Sequence, residues 1–383
     1  MSVTAAAGFR AAGIAAGLKT SGALDLALVV NDGPSDAAAG VFTANRVKAA
    51  PVLWSQQVLT TGRLRAVVLN SGGANACTGP DGFADTHVTA EQAADVLGIG
   101  ALDVAVCSTG LIGVRLPIDA LLAGVGKAAG ALSRDGADDA AHAIMTTDTV
   151  AKTAQVDGDG WTVGGMAKGA GMLAPALATM LCVLTTDADV DPSTLDTALR
   201  AATQVTFDRV DADGCLSTND TVLLLASGAS GHRPDTAEFA AAVQEVCRQL
   251  VMALLADVEG STKKIGITVH AAATEKEAVD VGRAVARSAL LKCALYGNDP
   301  NWGRVLAAVG TTSATFDPDA LDVSINGVQV CRSGAAGDDR SLVDLSGSDI
   351  DIDVGLYAGT AQATVWTTDL TEGYVRENSA YPS

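Results

Sequence analysis

Two periodicities of apolar and polar residues divide the chain into predicted strands and predicted helices. Short apolar runs bounded by Gly, Asn, Asp, Ser or Thr predict strands at residues 26–30, 66–69, 104–107, 180–184, 221–225 and 265–270. Apolar residues at helical spacing predict helices at residues 118–133, 138–144, 192–207, 236–256, 275–296 and 305–309. The two kinds of element follow each other in mixed rather than regularly alternating order. This order predicts an α+β fold of layered sheets with flanking helices, not a Rossmann sheet.

Composition and charge narrow the class of protein. The chain has 383 residues, of which 48% are hydrophobic and 18% charged, so it can bury a large core. Its net charge of −19 repels phosphate backbones, and we expect no nucleic-acid partner. No apolar stretch approaches the roughly 20 residues that span a bilayer, and the N-terminus lacks the basic and apolar regions of a signal peptide. We therefore expect no membrane partner and a cytoplasmic location.

Cysteines and histidines are scattered along the chain. The seven cysteines include no Cys-x-x-Cys pair, so we expect them to be reduced and mostly buried. The four histidines show no ligand spacing, so we expect no metal site. The chemistry of the protein is then expected to rest on hydroxyls, carboxylates, lysines and backbone groups.

Thr179 follows a glycine-rich segment that contains one proline, and it opens an apolar run. An internal threonine is a poor nucleophile, but cleavage between Ala178 and Thr179 would give it a free α-amine as its own base. A model α-amine titrates near pH 7.7–8.0, at about the pH such a base needs. The same hydroxyl could attack the preceding carbonyl and cut the chain through an N-to-O acyl shift. The alternative interpretation is a loop that simply enters a buried strand.

Four motifs resemble the ornithine acetyltransferase family, and they occur in that family's order. They are a Ser-Thr-Gly turn at 108–110, a Lys-Gly-x-Gly-Met segment at 168–172, an Ala-Thr-Met-Leu context at 178–181 and a Glu-Gly-x-Thr-Lys turn at 259–263. The resemblance extends over residues 8–383. Members of this family are arginine-biosynthesis enzymes whose precursor cuts itself before the threonine of the Ala-Thr-Met-Leu context.

The resemblance implies a function, an assembly and a more specific fold. It implies a self-cleaving, N-terminal-nucleophile-like fold in which an alpha chain, 1–178, and a beta chain, 179–383, interdigitate and pair as a heterotetramer of two copies each. The implied reaction transfers acetyl from N-acetylornithine to glutamate by a ping-pong mechanism through acetyl-Thr179. No cofactor is implied, although acetyl-CoA as an alternative acetyl donor stays open.

Two of the candidate site segments carry hydroxyls. The turn at 108–110 follows a predicted strand. Its residue types alone indicate only the end of that strand, although its backbone N–H and hydroxyl can form an oxyanion hole. The resemblance assigns Thr109 and Gly110 to that hole. The residue types at 145–149 are by themselves typical of a loop that ends a helix. The resemblance makes Thr146 a substrate contact, with its neighbour Thr147 left open.

The remaining candidates are charged or lie near the C-terminus. A lone loop lysine is usually solvated, but Lys168 lies close in sequence to Thr179, where it could hold a substrate carboxylate or tune the amine. Glu259 closes a predicted helix, where the dipole disfavours a carboxylate, and the resemblance makes it a substrate ligand. The C-terminal tail would ordinarily fray, yet the resemblance points to Asn378 and Ser383 in the substrate site. The loop at 298–304 receives no role.

Two rival functions stay open from the sequence. The first is an aminopeptidase of the related self-cleaving fold, in which water replaces glutamate as the acceptor. The second is an uncleaved binding protein, in which the loop at 168–179 is only structural.

Overall fold

The computed structural model describes residues 2–173 and 180–380. Its strands are β1 (Phe9–Ile14), β2 (Leu26–Asn31), β3 (Ala38–Phe42), β4 (Ala66–Ser71), β5 (Val104–Thr109), β6 (Lys152–Asp157), β7 (Thr162–Lys168), β8 (Leu181–Thr186), β9 (Thr221–Ala226), β10 (Lys264–Ala272), β11 (Asp322–Ile325), β12 (Val328–Arg332), β13 (Ala335–Ala336), β14 (Asp349–Gly355) and β15 (Ala361–Thr368). Its α-helices are α1 (Ala50–Val58), α2 (Gly79–Leu97), α3 (Ile118–Ala131), α4 (Ala137–Ala143), α5 (Pro192–Val205), α6 (Thr236–Leu255), α7 (Glu275–Ala286), α8 (Ala289–Tyr296), α9 (Trp302–Val309) and α10 (Glu372–Ala380).

The predicted α+β class is confirmed, because helices flank sheets of mixed direction. Each predicted strand is present with small changes at its ends. The prediction of one helix over 275–296 is wrong, because α7 ends before Arg287 and α8 begins after Ser288. The Ser288 hydroxyl accepts a hydrogen bond from the Leu291 amide and so caps α8. A serine that bonds to nearby backbone in this way favours a helix start over a helix interior.

The four-stranded and five-stranded sheets share one core. The first has the order β1-β2-β4-β5 and the second the order β3-β9-β8-β7-β6. One face of the five-stranded sheet, which includes Val183 and Leu223, joins the core of the four-stranded sheet. The opposite face, which includes Leu184 and Leu224, packs against α5 and α6. Because β8 and β9 are covered on both faces, each contains a continuous apolar run, and these runs are what predicted the strands from the sequence.

The middle of the five-stranded sheet joins segments from both sides of the predicted cut. Strand β7 pairs antiparallel with β8, with Lys168 opposite Leu181. Strand β8 in turn pairs in parallel with β9, with Leu181 opposite Thr221. The end of β7 and the starts of β8 and β9 therefore meet at one end of the sheet. Strands from both sides of the predicted cut thus pair within one sheet. Thr179 itself, which was predicted to lie in a core strand, is outside the described residues.

The C-terminal third forms a six-stranded sheet of order β13-β12-β11-β14-β10-β15 with its own core, covered by α7 and α9. After β15 the chain returns to the turn that follows α6, where the Thr371 hydroxyl donates to the Gly260 carbonyl over 2.5 Å. Helix α10 begins there. No helix within 2–173 or 180–380 is both long and apolar enough to cross a membrane.

Candidate active site

A cavity of about 470 Å³ lies where the ends of β5 and β7 meet the turn after α6. It brings together six of the predicted site residues: Thr109, Gly110, Thr146, Lys168, Glu259 and Asn378. Its other lining residues are Leu18, Lys19, Thr20, Ser21, Gly72, Leu111, Ile112, Thr147, Gly171 and Met172. Ala178, Thr179 and Ser383 lie outside the described residues. Seven chain segments thus converge on one small-molecule-sized space.

The predicted oxyanion turn forms at the end of β5. Thr109 is the last residue of the strand, and its carbonyl accepts a hydrogen bond from the Gly73 amide over 3.0 Å. Gly110 has a φ of 127°, and a Cβ at this position would lie 2.6 Å from the Gly73 nitrogen. Only glycine fits this geometry, because a side chain would clash with the neighbouring backbone. The turn therefore keeps its backbone close to the 72–73 segment and facing the cavity.

Lys168 is buried, and it is the last residue of β7 rather than part of a loop. The placement of Lys168 in a loop is therefore wrong, and strand pairing carries its side chain into the core. Its Nζ donates to the Thr109 hydroxyl over 3.2 Å. Burial lowers the pKa of Lys168, and the carboxylate of Asp148 opposes that shift. An ammonium group is thus held beside the predicted oxyanion turn.

Asp148 organises the segments around the cavity. Its carboxylate accepts hydrogen bonds from the Thr146 amide over 3.0 Å and from the Gly169 amide over 2.7 Å. Lys152 pairs with it over 2.6 Å and with Asp257 at the same distance. We call Asp148, Lys152 and Asp257 the Asp148 cluster. It ties the threonine loop, the glycine segment and the turn after α6 together.

Asp148 lies in the threonine loop at 145–149, and the sequence alone indicated no role for it. Desolvation acts to raise the pKa of Asp148, but Lys168 and Lys152, with the Thr146 amide, lower it to about 2. The carboxylate is therefore ionised at neutral pH. The signal for this role in the sequence was only an aspartate among threonines, which is equally typical of a capped loop.

Glu259 approaches the glycine segment from the turn after α6. Its side chain is buried, and its amide donates to the Ala170 carbonyl over 2.9 Å. A Cβ on Gly171 would lie 2.8 Å from the Glu259 carboxylate, so the absence of a side chain at this position lets the carboxylate approach. A carboxylate and an ammonium, Lys168, thus line the same cavity.

The C-terminal segment reaches the cavity as α10. Asn378 lines it, and the Nδ2 of its side chain donates a hydrogen bond to the Tyr374 carbonyl, one turn earlier in α10, over 3.0 Å. The start of α10 packs closely on Gly260, where a Cβ would lie 2.2 Å from the Tyr374 nitrogen. Residues up to Ala380 are therefore helical rather than frayed.

One wall of the cavity was missed by the sequence analysis. Residues 18–21 follow β1 and line the space. The buried Asp25 carboxylate accepts hydrogen bonds from four consecutive amides, those of residues 16–19, and holds this loop in place. Lys19 donates to the carbonyls of Leu24 and Met145. Nothing in a short Lys-Thr-Ser-Gly run distinguishes it from an ordinary turn, so the sequence offered no signal.

Other features lie away from the cavity. The loop at 298–304 does not line it; Asn298 instead accepts a hydrogen bond from Lys263. Within the described part of the chain, no group of His, Cys, Asp and Glu could hold a metal ion. All seven cysteines are free, and four of them are buried.

The fold and the cavity define the class first: an α+β protein with a polar, small-molecule-sized site that contains hydroxyls, an ammonium and a carboxylate. Comparison with known proteins then gives the family. The ArgJ family profile matches residues 10–383. Since this covers nearly the whole chain, the protein belongs to the ArgJ family.

Individual relatives agree with that assignment. The chain is 67% identical to the arginine biosynthesis bifunctional protein ArgJ of Streptomyces coelicolor over all of both chains. It is 64% identical to the protein of the same name from Thermobifida fusca, again over all of both chains. A crystal structure of ornithine acetyltransferase complexed with ornithine from Mycobacterium tuberculosis matches with 68% identity and a TM-score of 0.45, over 47% of this chain and 96% of that chain. The predicted family and the prediction that the chain is an enzyme are confirmed.

Proposed function

We propose that this protein transfers the acetyl group of N-acetylornithine to glutamate, through an acetyl ester on Thr179, after it has cut itself between Ala178 and Thr179. One observation carries the proposal: the cavity gathers Thr109, Gly110, Thr146, Lys168, Glu259 and Asn378. Segments on both sides of Thr179 meet at the same end of the sheet. The names of the relatives, which refer to arginine biosynthesis, support the same reaction.

Each step of the reaction has a residue suited to it. The Thr179 hydroxyl attacks the acetyl carbonyl while the α-amine of the same residue takes its proton. The Thr109 hydroxyl and the Gly110 amide stabilise the oxyanion that develops. Ornithine leaves with a proton on its amine, the amine of glutamate attacks the ester, and N-acetylglutamate is released.

The two substrates differ at the end of their side chains, so one site must accept first an ammonium and then a carboxylate. Glu259 and Lys168 supply opposite charges within the same cavity. We propose that Glu259 holds the ornithine ammonium and that Lys168 contributes to holding carboxylate groups. Thr146, Asn378 and Ser383 complete the proposed substrate contacts.

The proposed cleavage gives an alpha chain of residues 1–178 and a beta chain of residues 179–383, assembled as two copies of each in the cytoplasm. The reaction as written requires no cofactor. Acetyl-CoA enters only as an alternative donor, which an assay with acetyl-CoA in place of N-acetylornithine tests directly.

Intact-mass spectrometry of freshly purified protein tests the proposal. We expect two fragments that divide between Ala178 and Thr179, and acetyl transfer to glutamate by the cleaved protein. T179A should abolish both cleavage and transfer, whereas T179S should keep part of each, because it retains a hydroxyl. A wild-type chain that stays as one mass contradicts the proposal and favours a binding protein. Release of amino acids from peptides without transfer to glutamate favours the aminopeptidase.

A further inference from the structure

Asp220 holds the residue that follows Thr179. It immediately precedes β9, and its Oδ1 accepts a hydrogen bond from the Met180 amide over 3.0 Å. The next residue, Thr221, donates its amide to the Met180 carbonyl over 3.1 Å. Both polar backbone atoms of Met180 are therefore fixed by two consecutive residues. One of them, the Met180 nitrogen, is bonded to the carbonyl carbon of Thr179.

The surroundings of Asp220 do not favour a negative charge. The residue is fully buried, and its Oδ2 has no hydrogen-bond partner among the described residues. Lys168 is close enough to act on it, yet the Lys168 ammonium donates to Thr109 instead. Burial raises the pKa of Asp220 well above its usual range, although the Met180 amide, the Ser217 hydroxyl and Lys168 oppose that shift. An ionised carboxylate that is buried without a paired cation is costly, so the neutral acid is favoured.

A neutral acid next to Thr179 has a chemical consequence. The α-amine that cleavage would create lies three covalent bonds from the Met180 nitrogen. A carboxylate near this amine would raise its pKa and keep it protonated at neutral pH. A protonated amine cannot accept the proton of the Thr179 hydroxyl. A neutral carboxylic acid fixes the same backbone without this effect.

We propose that Asp220, acting as a neutral carboxylic acid, is a positioning residue that holds the Thr179–Met180 peptide for self-cleavage and for acetyl transfer. The inference rests on the proposed function, since it takes Thr179 as the nucleophile. Asp220 contributes no bond-forming atom; it acts through the Met180 amide.

Three variants of Asp220 test the inference through the rate of precursor cleavage, followed by intact mass after cell-free synthesis. D220N keeps the acceptor and the neutral charge, so we expect its cleavage rate to lie within about threefold of wild type. D220A and D220L remove the acceptor, and we expect cleavage about 100-fold slower, as for a misplaced reacting group. In the cleaved fraction, kcat for transfer should fall while KM for N-acetylornithine stays unchanged.

Asp187 supplies a matched control at the opposite end of β8. It is buried and holds the amides of Ala7 and Thr162. D187N and D187A should lower the thermal midpoint and leave the cleavage rate of the folded protein unchanged. If the Asp187 variants slow cleavage as much as D220A does, the effect is general destabilisation and the inference is overturned.

The charge state of Asp220 is tested separately by the pH profile of acetyl transfer. D220N should leave the profile in place, because it replaces one neutral group with another. A shift to lower pH in D220N would mean that wild-type Asp220 is an anion, and it would overturn the inference even if D220A and D220L fail to fold. Failure of the proposed function is distinct from these outcomes, since it is seen in the wild-type chain as absent cleavage or absent transfer.

Discussion

Two buried carboxyl groups beside the candidate active site have opposite surroundings. Asp148 has a lysine at 2.6 Å and two backbone amides as donors, and its pKa is lowered to about 2. Asp220 receives hydrogen bonds from one amide and from the Ser217 hydroxyl, and burial raises its pKa. Both side chains lie in the protein interior. Burial alone therefore does not decide whether such a group is charged; the number and charge of its partners do.

The two surroundings suit two different tasks. The charged Asp148 cluster joins three segments that line the substrate cavity, so it uses strong charge-assisted hydrogen bonds to fix their relative positions. Asp220 holds the residue next to the proposed nucleophile, where an additional negative charge would raise the pKa of the amine that the proposed cleavage creates. The charged Asp148 cluster thus organises the cavity, and we infer that a neutral Asp220 holds the backbone next to the proposed nucleophile.

The largest effect on stability is expected when the lysine of the Asp148 cluster is replaced. K152M leaves the carboxylates of Asp148 and Asp257 buried without their common cation. We expect the free energy of unfolding to fall by about 3–5 kcal/mol, as when one partner of a buried ion pair is removed. Urea denaturation in the T179A background, in which we expect the chain to stay intact, measures the loss.

K276M is the matched control for K152M. Lys276 pairs with Asp280 on the surface of α7, and its side chain is 84% exposed. We expect a change below about 1 kcal/mol, because exposed ion pairs contribute little. Equal losses in the two variants would show that the Asp148 cluster is no stronger than a surface pair.

A pair of matched substitutions sharpens the comparison. D148N removes a charge that Lys152 and two amides stabilise, so we expect it to lower the free energy of unfolding by about 2–3 kcal/mol. At neutral pH, D220N substitutes a neutral amide for an acid that is neutral in the folded chain and ionised only in the unfolded chain, so it should not lower the free energy of unfolding. Urea midpoints in the T179A background compare the two, and a larger loss in D220N than in D148N would contradict the charge assignment.

The stability of wild type relative to D148N and its stability relative to D220N should change with pH in opposite directions. The pKa of Asp148 is lowered in the folded state from 3.8 to about 2. Its contribution of about 2 kcal/mol is therefore complete above about pH 4 and lost as the pH falls towards 2. The pKa of Asp220 is raised in the folded state, so its contribution is complete below about pH 3.8 and lost as the pH rises. The stability of wild type relative to D148N and D220N, measured from pH 2 to 7, tests both signs.

The smallest effect concerns the threonine loop. Thr146 and Thr147 both line the cavity, but Asp148 fixes the backbone of Thr146. We expect T146V to raise KM for N-acetylornithine by about tenfold, which corresponds to one lost hydrogen bond. T147V serves as the control and should change KM by less than about threefold. The reverse order would identify Thr147 as the substrate contact.

Local patterns predicted the fold where a segment is buried on both faces or capped within its own sequence. Strands β8 and β9 are buried throughout and mostly apolar, and Asp235 caps α6 through the amides of Ala237 and Glu238. The break between α7 and α8 was missed, because an apolar helical period continues through it while one serine ends it. Periodicity detects a buried face, but it does not detect a change of helix axis.

The sequence by itself determined the fold class through local periodicity and the family through motifs that occur in that family's order. The resemblance to that family then implied the six residues that meet in the cavity. Only the tertiary structure decided that Lys168 is buried, that Asp148 forms an ion pair with a lysine and that Asp220 instead accepts a backbone hydrogen bond. These properties depend on neighbours far away in sequence: Lys168 on Thr109, Asp148 on Gly169, and Asp220 on Met180. The charge of a buried group follows from its solvation and its partners, and both are set only when distant segments pack together.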